Sequence, residues 1–350
     1  MTTNAHIWLK RIMIIILLLI ILAGIKGISL YRKAFASNIF LPENEDTFLY
    51  IATGSDYGNV IENIKELNIV RNLKSLEWTA QEKNYPNHIY PGKYRVRNRM
   101  SNNEFINMLR SGRQEPIQLT FNNIRTLEQF STRIAEQLEL DASTLLQLIK
   151  SDSVQNKYSL NKFTVNCMFI PNTYEFYWNT SASDFVERMF REYNSFWNYR
   201  RSHKADELQL TREEVITLAS IVHEETDRDK EKERIAGVYL NRLKNGMRLQ
   251  ADPTVIYAIG NFNIKRVLRA HYQINSPFNT YRIDGLPPGP ICFPDIVSID
   301  AVLNAESHDY LYMCAKPDFS GYHVFARTLS EHNRNAELYR RELNKRRIYR

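Results

Sequence analysis

Three consecutive ionisable residues, His223, Glu224 and Glu225, close the apolar run in "LASIVHEET". A carboxylic acid that donates a proton near neutral pH needs a raised pKa, and apolar surroundings supply it by penalising the charged form. Thr211 followed three residues later by Glu214 reads as a capping-box helix start. Val215, Leu218, Ala219 and Val222 then fall at i, i+3, i+4 and i+7, one apolar stripe. At about 100° per residue from Val215, the stripe centres near ~320° and Glu225 falls inside it, at about 280°. Glu224 falls at about 180° and His223 at about 80°, off the stripe. Glu225 is thus the acid expected to face the interior and donate a proton, and Glu224 the one expected to be solvated. The structural alternative is a buried Glu225 paired with Arg234 or Arg242.

Other polar residues stand on segments that could line a cleft. "LQADPTVIYA" presents Gln250 and Asp252 ahead of a helix starting at Pro253, a favoured first helical residue. Asp252 is the natural N-cap there. "SPFNTYRIDGLPPGPICFP" reads as an ordered irregular loop in which Asn279, Thr280 and Tyr281 offer neutral groups that suit hydroxyls and N-acetyl amides. Between these segments Ile235, Val238 and Tyr239 form a helical stripe stopped by Asn245-Gly246. The aromatic-rich "FIPNTYEFYW" could stack on sugars, but closing a core is the reading favoured for it.

These residues need a scaffold, and 350 residues suffice for one large or two modest domains. The formal charge of +7 does not imply a nucleic-acid partner. Five of the basic residues lie in the first 33, which contain no acid; the remainder holds 41 basic against 39 acidic residues. The basic C-terminal "RRELNKRRIYR" reads as a solvated helix end. Cys167, Cys292 and Cys314 show no CxxC spacing, so neither a zinc site nor a disulfide framework is indicated, and pairing of two of them is left open. No Gly-rich phosphate loop or metal-ligand spacing is found, and no cofactor or metal is expected.

Residues 12–30 form an apolar run of nearly the length of a bilayer span. The run is long and bulky, and "AFAS" is the nearest approach to a cleavage site, which favours an uncleaved anchor over a signal peptide. Basic residues flank both ends, so charge does not fix its orientation. Residues 31–45 read as a linker, and 46–115 as a small strand-helix-strand-helix unit ending in "MSNNEFINMLRSG", with Ser101 and Glu104 as a capping box. A larger α+β region covers 116–345. The fold class expected is α+β behind one transmembrane helix.

The motifs "LASIVHEET", "RIAGVYLNRLKNGMRLQADPTVIYA", "FNTYRIDGLPPGPI" and "GYHVFARTLSEHN", with "FIPNTYEFYW" before them, occur in the order seen in the MltG-type (YceG-like) endolytic murein transglycosylases, and the chain resembles that family over nearly its whole length. The resemblance implies residues 1–11 in the cytoplasm, a single inner-membrane pass, a LysM-like subdomain at 46–115 and a catalytic body in the periplasm. It implies cleavage between N-acetylmuramic acid and N-acetylglucosamine inside glycan strands, leaving 1,6-anhydro ends. Peptidoglycan synthases and the elongation or division machinery are the partners it suggests. By position the family's catalytic Glu is Glu225. Gln250, Asp252, Asn279, Thr280, Tyr281 and His323 match motif positions expected to line the cleft. The family has Glu where this chain has His223, which leaves three consequences open: a neutral surface change, a shifted pH dependence, or a weakened enzyme. Two rival functions remain: a hydrolase in which Asp252 or Glu175 positions water, and a glycan-binding scaffold without turnover.

Overall fold

A computed structural model describes residues 2–42, 46–264 and 266–346, with side chains from Ile7 onward. The chain divides into two compact units, Met1–Ile117 with Glu175–Asn179, and Gln118–Tyr174 with Thr180–Arg350.

The first unit begins with α1 (Thr2–Phe35), followed by β1 (Thr47–Ile51), α2 (Tyr57–Leu67), α3 (Leu73–Glu82), β2 (Gly92–Val96) and α4 (Asn102–Arg110). Within α1, Ile7–Phe35 is long and apolar enough to cross a membrane, and its large apolar side chains are exposed. The expected span, 12–30, lies inside it, but the helix continues to Phe35. The residues after it are no free linker either: Asn38, Ile39 and Leu41 are buried, and Ile39 bridges to Val70. Residues 43–45 of that expected linker lie outside the described residues.

β1 and β2 pair antiparallel from Thr47↔Val96 to Ile51↔Gly92, burying Leu49, Ile51, Tyr94 and Val96 on one face. The capping box at Ser101 and Glu104 forms as the spacing predicts. The unit holds one helix more than its apolar pattern suggests. α3, capped by Asn72, buries Ser75 and Thr79 along with Leu76 and Ala80, so its inward face reads as half polar.

The remaining elements are β3 (Ile117–Phe121), α5 (Leu127–Ala135), α6 (Ala142–Lys150), α7 (Asp152–Lys157), β4 (Asn172–Phe176), α8 (Ala182–Phe196), α9 (Tyr199–Glu207), α10 (Arg212–Glu225), α11 (Asp229–Lys244), α12 (Asp252–Ile259), α13 (Ile296–Leu303), β5 (Tyr312–Ala315), β6 (His323–Ala326) and α14 (Leu329–Lys345). β3 pairs with β4, and β5 with β6 antiparallel. The fold is therefore mixed, mostly helix with small two-stranded sheets. The aromatic segment does close a core: Phe169 packs on Phe130 at 4.4 Å between ring centroids, and Tyr174 and Phe176 are buried. The basic C-terminal patch lies partly on α14, and residues 347–350 are outside the described residues.

α10 is the central element. Every residue from Val215 to Val222 is buried, because α9, α11, α12 and α13 pack around it. The polar members of the run bond locally, Thr217 Oγ1 donating to the Glu213 carbonyl and Ser220 Oγ to the Thr217 carbonyl. A helix enclosed on all sides has no solvated face, and this changes the fate of the residues at its end.

Candidate active site

Glu225 is the last residue of α10, where the helix leaves the core beside α11 and the loop before α12. It opens on a cleft of about 250 Å³ together with Tyr239 and Arg242 of α11, Gln250, Asp252, Tyr281, Met313 and Cys314 of β5, and His323 of β6. Tyr239 Oη donates to Glu225 Oε1 at 2.7 Å. Burial pushes the Glu225 carboxyl up to about 7 from an ordinary 4.5. The Tyr239 bond and Arg242 oppose that rise; Asp252 and Glu224 add to it through like charge.

The ion-pair alternative for Glu225 does not hold. Arg234 pairs with Glu306 at 2.9 Å. Arg242 is spent on backbone: its Nε donates to the Leu311 carbonyl at 2.7 Å and its Nη1 to the Leu249 carbonyl at 2.7 Å, with the Gln250 Oε1 at 3.4 Å. Arg242 thereby ties α11 to the segment leading into β5 and to the loop that carries Gln250. That loop turns through Gln250 in the left-handed region, φ 50°, and is fixed by a bond from its N–H to the Thr280 carbonyl.

Asp252 is not the N-cap the sequence suggests. Ala251 occupies that position, and Asp252 begins α12 with its side chain turned to two phenols. Its Oδ1 accepts from Tyr281 Oη at 2.6 Å and Tyr272 Oη at 3.2 Å. The cleft thus holds two carboxylates in different surroundings, one with its pKa raised by burial and one clasped by hydroxyls. His323 sits across from them, its Nδ1 3.1 Å from a carboxylate oxygen of the buried Glu231, which also accepts from the His323 N–H at 3.0 Å.

Of the residues expected to line the cleft, Glu225, Gln250, Asp252, Tyr281 and His323 come together there. Asn279 and Thr280 do not: both are fully buried. Asn279 Nδ2 donates to the carbonyls of Tyr272 and Ile274, and its Oδ1 accepts from the Tyr281 N–H. Thr280 Oγ1 accepts from the Ala251 N–H at 3.0 Å. They hold the two cleft loops together, since an irregular backbone inside a protein must find its hydrogen bonds in side chains. Sequence polarity alone does not separate such a role from ligand binding.

His223 and Glu224 also depart from expectation. Glu224 is not solvated; Arg125 grips it through two nitrogens, Nε to Oε1 at 3.1 Å being one bond. His223 is no free surface residue. Its Nδ1 lies 3.3 Å from Ser298 Oγ and 3.5 Å from Asp295, at the start of α13. Although burial opposes it, bonds from His223 and Ser298 hold the Asp295 carboxyl well below its usual range. His223 lies outside the cleft lining. The thiols of Cys167, Cys292 and Cys314 are free, with burial raising all three. His223, Glu224 and Cys292 do offer donor atoms within 4.8 Å of one another, a grouping no sequence spacing hints at. Arg125 already holds both Glu224 oxygens, so the set does not suit a cation. The sequence places neither Tyr239 nor β5 in the cleft, and offers Arg242 only as an ion-pair partner for Glu225. Tyr239 reads as a core residue of the α11 stripe, and four-residue strands carry too little alternation to register.

The model of the YceG-like family matches residues 49–338. A Bacillus subtilis protein called endolytic murein transglycosylase is 30% identical over 332 residues, covering 90% of this chain and 91% of its own length. A Streptococcus pneumoniae protein of the same name is 24% identical over 94% of this chain, which spans 66% of that longer relative. The 2.6 Å crystal structure of a yceG-like protein from Listeria monocytogenes aligns with a TM-score of 0.56 at 26% identity, covering 83% of this chain and 98% of the other.

Proposed function

This chain belongs to the YceG-like family, and we propose from that premise that it is an endolytic murein transglycosylase, a lyase that cuts within peptidoglycan glycan strands and limits their length. The bond cut joins N-acetylmuramic acid to N-acetylglucosamine, and the new end is a 1,6-anhydromuramic residue. The observation that carries this reading is Glu225, a cleft carboxyl held by Tyr239 and raised by burial to about 7. At neutral pH such a group exists in both protonation states, which suits one residue that acts first as acid and then as base.

The protonated carboxyl of Glu225 gives its proton to the leaving glycosidic oxygen. Positive charge develops at the anomeric carbon, where the substrate's own N-acetyl group assists and the carboxylate charge of Asp252 favours it. The C6 hydroxyl of the same sugar attacks C1, and the Glu225 carboxylate takes its proton. Bond broken and bond formed are both C–O, no water is consumed, and the enzyme returns to its starting protonation. Two-carboxylate hydrolysis would instead need a water held by the second acid. Here Asp252 Oδ1 is occupied by two phenols, and Glu175 lies outside the cleft lining. Gln250, Tyr281 and His323 are proposed to hold sugar hydroxyls and amides, with Asn279 and Thr280 acting through the loops they fasten.

The strand-helix-helix-strand order of 47–96 supports a LysM-like reading of the first unit. Ile7–Phe35 is proposed as a single-pass anchor, with the body on the wall side of the cytoplasmic membrane, the periplasm where a second membrane exists. Peptidoglycan synthases and elongation or division proteins are the partners this role would bring alongside.

Cleavage of uncrosslinked strands in water enriched in oxygen-18 tests the reaction type. Anhydro ends without label are expected. Labelled reducing ends would identify a hydrolase, and bound but uncut strands would identify a scaffold.

A further inference from the structure

Where α1 leaves its apolar stretch, a cleft of about 600 Å³ opens between the helix and the segment entering α3. Its α1 wall is one helical stripe: Ile25, Ile28, Arg32 and Lys33 fall at i, i+3, i+7 and i+8. Arg71 faces them from the other side, and among the described residues no acidic one lines the cleft. Aromatic rings rather than acids accompany two of the three cations: Lys33 Nζ lies 5.6 Å from the Trp78 centroid and the Arg71 guanidinium 5.9 Å from that of Phe40. Among the described residues none of the three makes an ion pair with an acid.

The site is rigid where a linker would be loose. The fully buried Asn102 donates to the Lys33 carbonyl at 2.8 Å, and Asn38 donates to Asn102 Oδ1 at 2.7 Å. These bonds fix the exit of α1 against α3 and α4. From Ile25 to Lys33 the helix rises about 12 Å, enough to run from the hydrocarbon edge through the headgroup layer of a bilayer. Apolar side chains below and unopposed guanidinium and ammonium groups above match an amphiphile with a phosphate at its polar end. With the body on the outer side, these cations also run against the usual bias of basic residues toward the cytoplasm, so a ligand gives them a purpose.

We propose that this cleft binds the phosphate headgroup of an anionic membrane lipid, with Arg32, Lys33 and Arg71 around the phosphate and the acyl or prenyl chain along Ile25 and Ile28. The inference rests on α1 being a membrane span and is independent of the chemistry at Glu225. Its size falls within the range of small-molecule sites.

The test uses the full chain in mild detergent, with lipid retention read by native mass spectrometry. The probes are phosphatidylglycerol, phosphatidylcholine and a prenyl diphosphate. Retention of an anionic probe should exceed that of phosphatidylcholine, and Arg71→Glu should lower it by about fivefold or more. Lys65→Glu, an equal charge change on α2 away from the cleft, should leave it intact. Arg71→Gln, which disturbs folding less, should give an intermediate loss. A prenyl diphosphate retained above phosphatidylglycerol assigns the site to diphosphate lipids, and the reverse order assigns it to bulk phospholipid. Equal retention of phosphatidylcholine, or identical loss in Lys65→Glu and Arg71→Glu, overturns the proposal. Strand cleavage measured on the same variants should stay unchanged, so a failure at Glu225 would leave the lipid result standing.

Discussion

The phenol of Tyr239 donates to Glu225 Oε1 at 2.7 Å, joining the middle of α11 to the last residue of α10. This bond steadies the charged carboxylate against a burial that favours the neutral acid. Replacing Tyr239 by Phe removes the donor and little else. The Glu225 pKa should then climb further, and the fall of cleavage at high pH should move upward by on the order of one pH unit. The full pH profile of Tyr239→Phe checks this; an unchanged profile would leave Tyr239 a packing residue.

Asp252 acts on the same carboxyl with the opposite sign, since its like charge helps to raise Glu225. Asp252→Asn keeps the shape and removes the charge. The high-pH limb should therefore move down, and cleavage at neutral pH should drop even though Glu225 is present. Opposite shifts in the two variants are the signature of one titrating acid between them.

The raised pKa also carries a stability consequence. Glu225 holds its proton to about 7 in the folded protein and releases it near 4.5 in the unfolded chain. Between those values the folded state binds more protons, so stability falls as pH rises through that window. The loss is at most about 3 kcal/mol, less whatever solvent reaching the carboxyl through the cleft screens. Glu225→Gln abolishes it and keeps an acceptor for Tyr239. Melting temperatures should coincide near pH 4 and favour the variant at pH 8.

Glu224 is a structural partner of Arg125 in this account. Glu224→Gln strands a half-buried guanidinium and should cost about 1–3 kcal/mol of stability. Cleavage below the melting transition should persist, and its pH profile should shift slightly downward as one like charge leaves Glu225.

His223 faces Ser298 and Asp295 rather than the cleft. Its replacement by Ala should lower the melting temperature while leaving the high-pH limb of cleavage in place. A displaced limb would make His223 a modulator of the acid.

The route from sequence to site shows which signals travel. Glu225 was legible because the Thr211 and Glu214 capping box fixes where α10 begins, and helical phase then carries to its end. The same wheel misjudged Glu224, since it assumes one solvated face and the Val215–Val222 run of α10 has none. Gln250, Asp252, Tyr281 and His323 stood out through motif resemblance, whereas Tyr239 was hidden in an apolar stripe that looks like any core. Asn279 and Thr280 look like ligand groups in sequence, yet Asn279 bonds the backbone of its own irregular loop, and Thr280 Oγ1 bonds the Ala251 N–H and the Thr254 hydroxyl. α3 escaped notice because its buried face carries Ser75 and Thr79, whose hydroxyls bond within the helix and its cap.

The most direct test of the central claim compares the full chain with its Glu225→Gln variant on uncrosslinked glycan strands, with products read by mass spectrometry. The account predicts internal cuts ending in anhydromuramic acid, slowed by about 10²–10⁴-fold in a variant that remains folded. Equal cleavage by both proteins would contradict it and remove Glu225 as the acid.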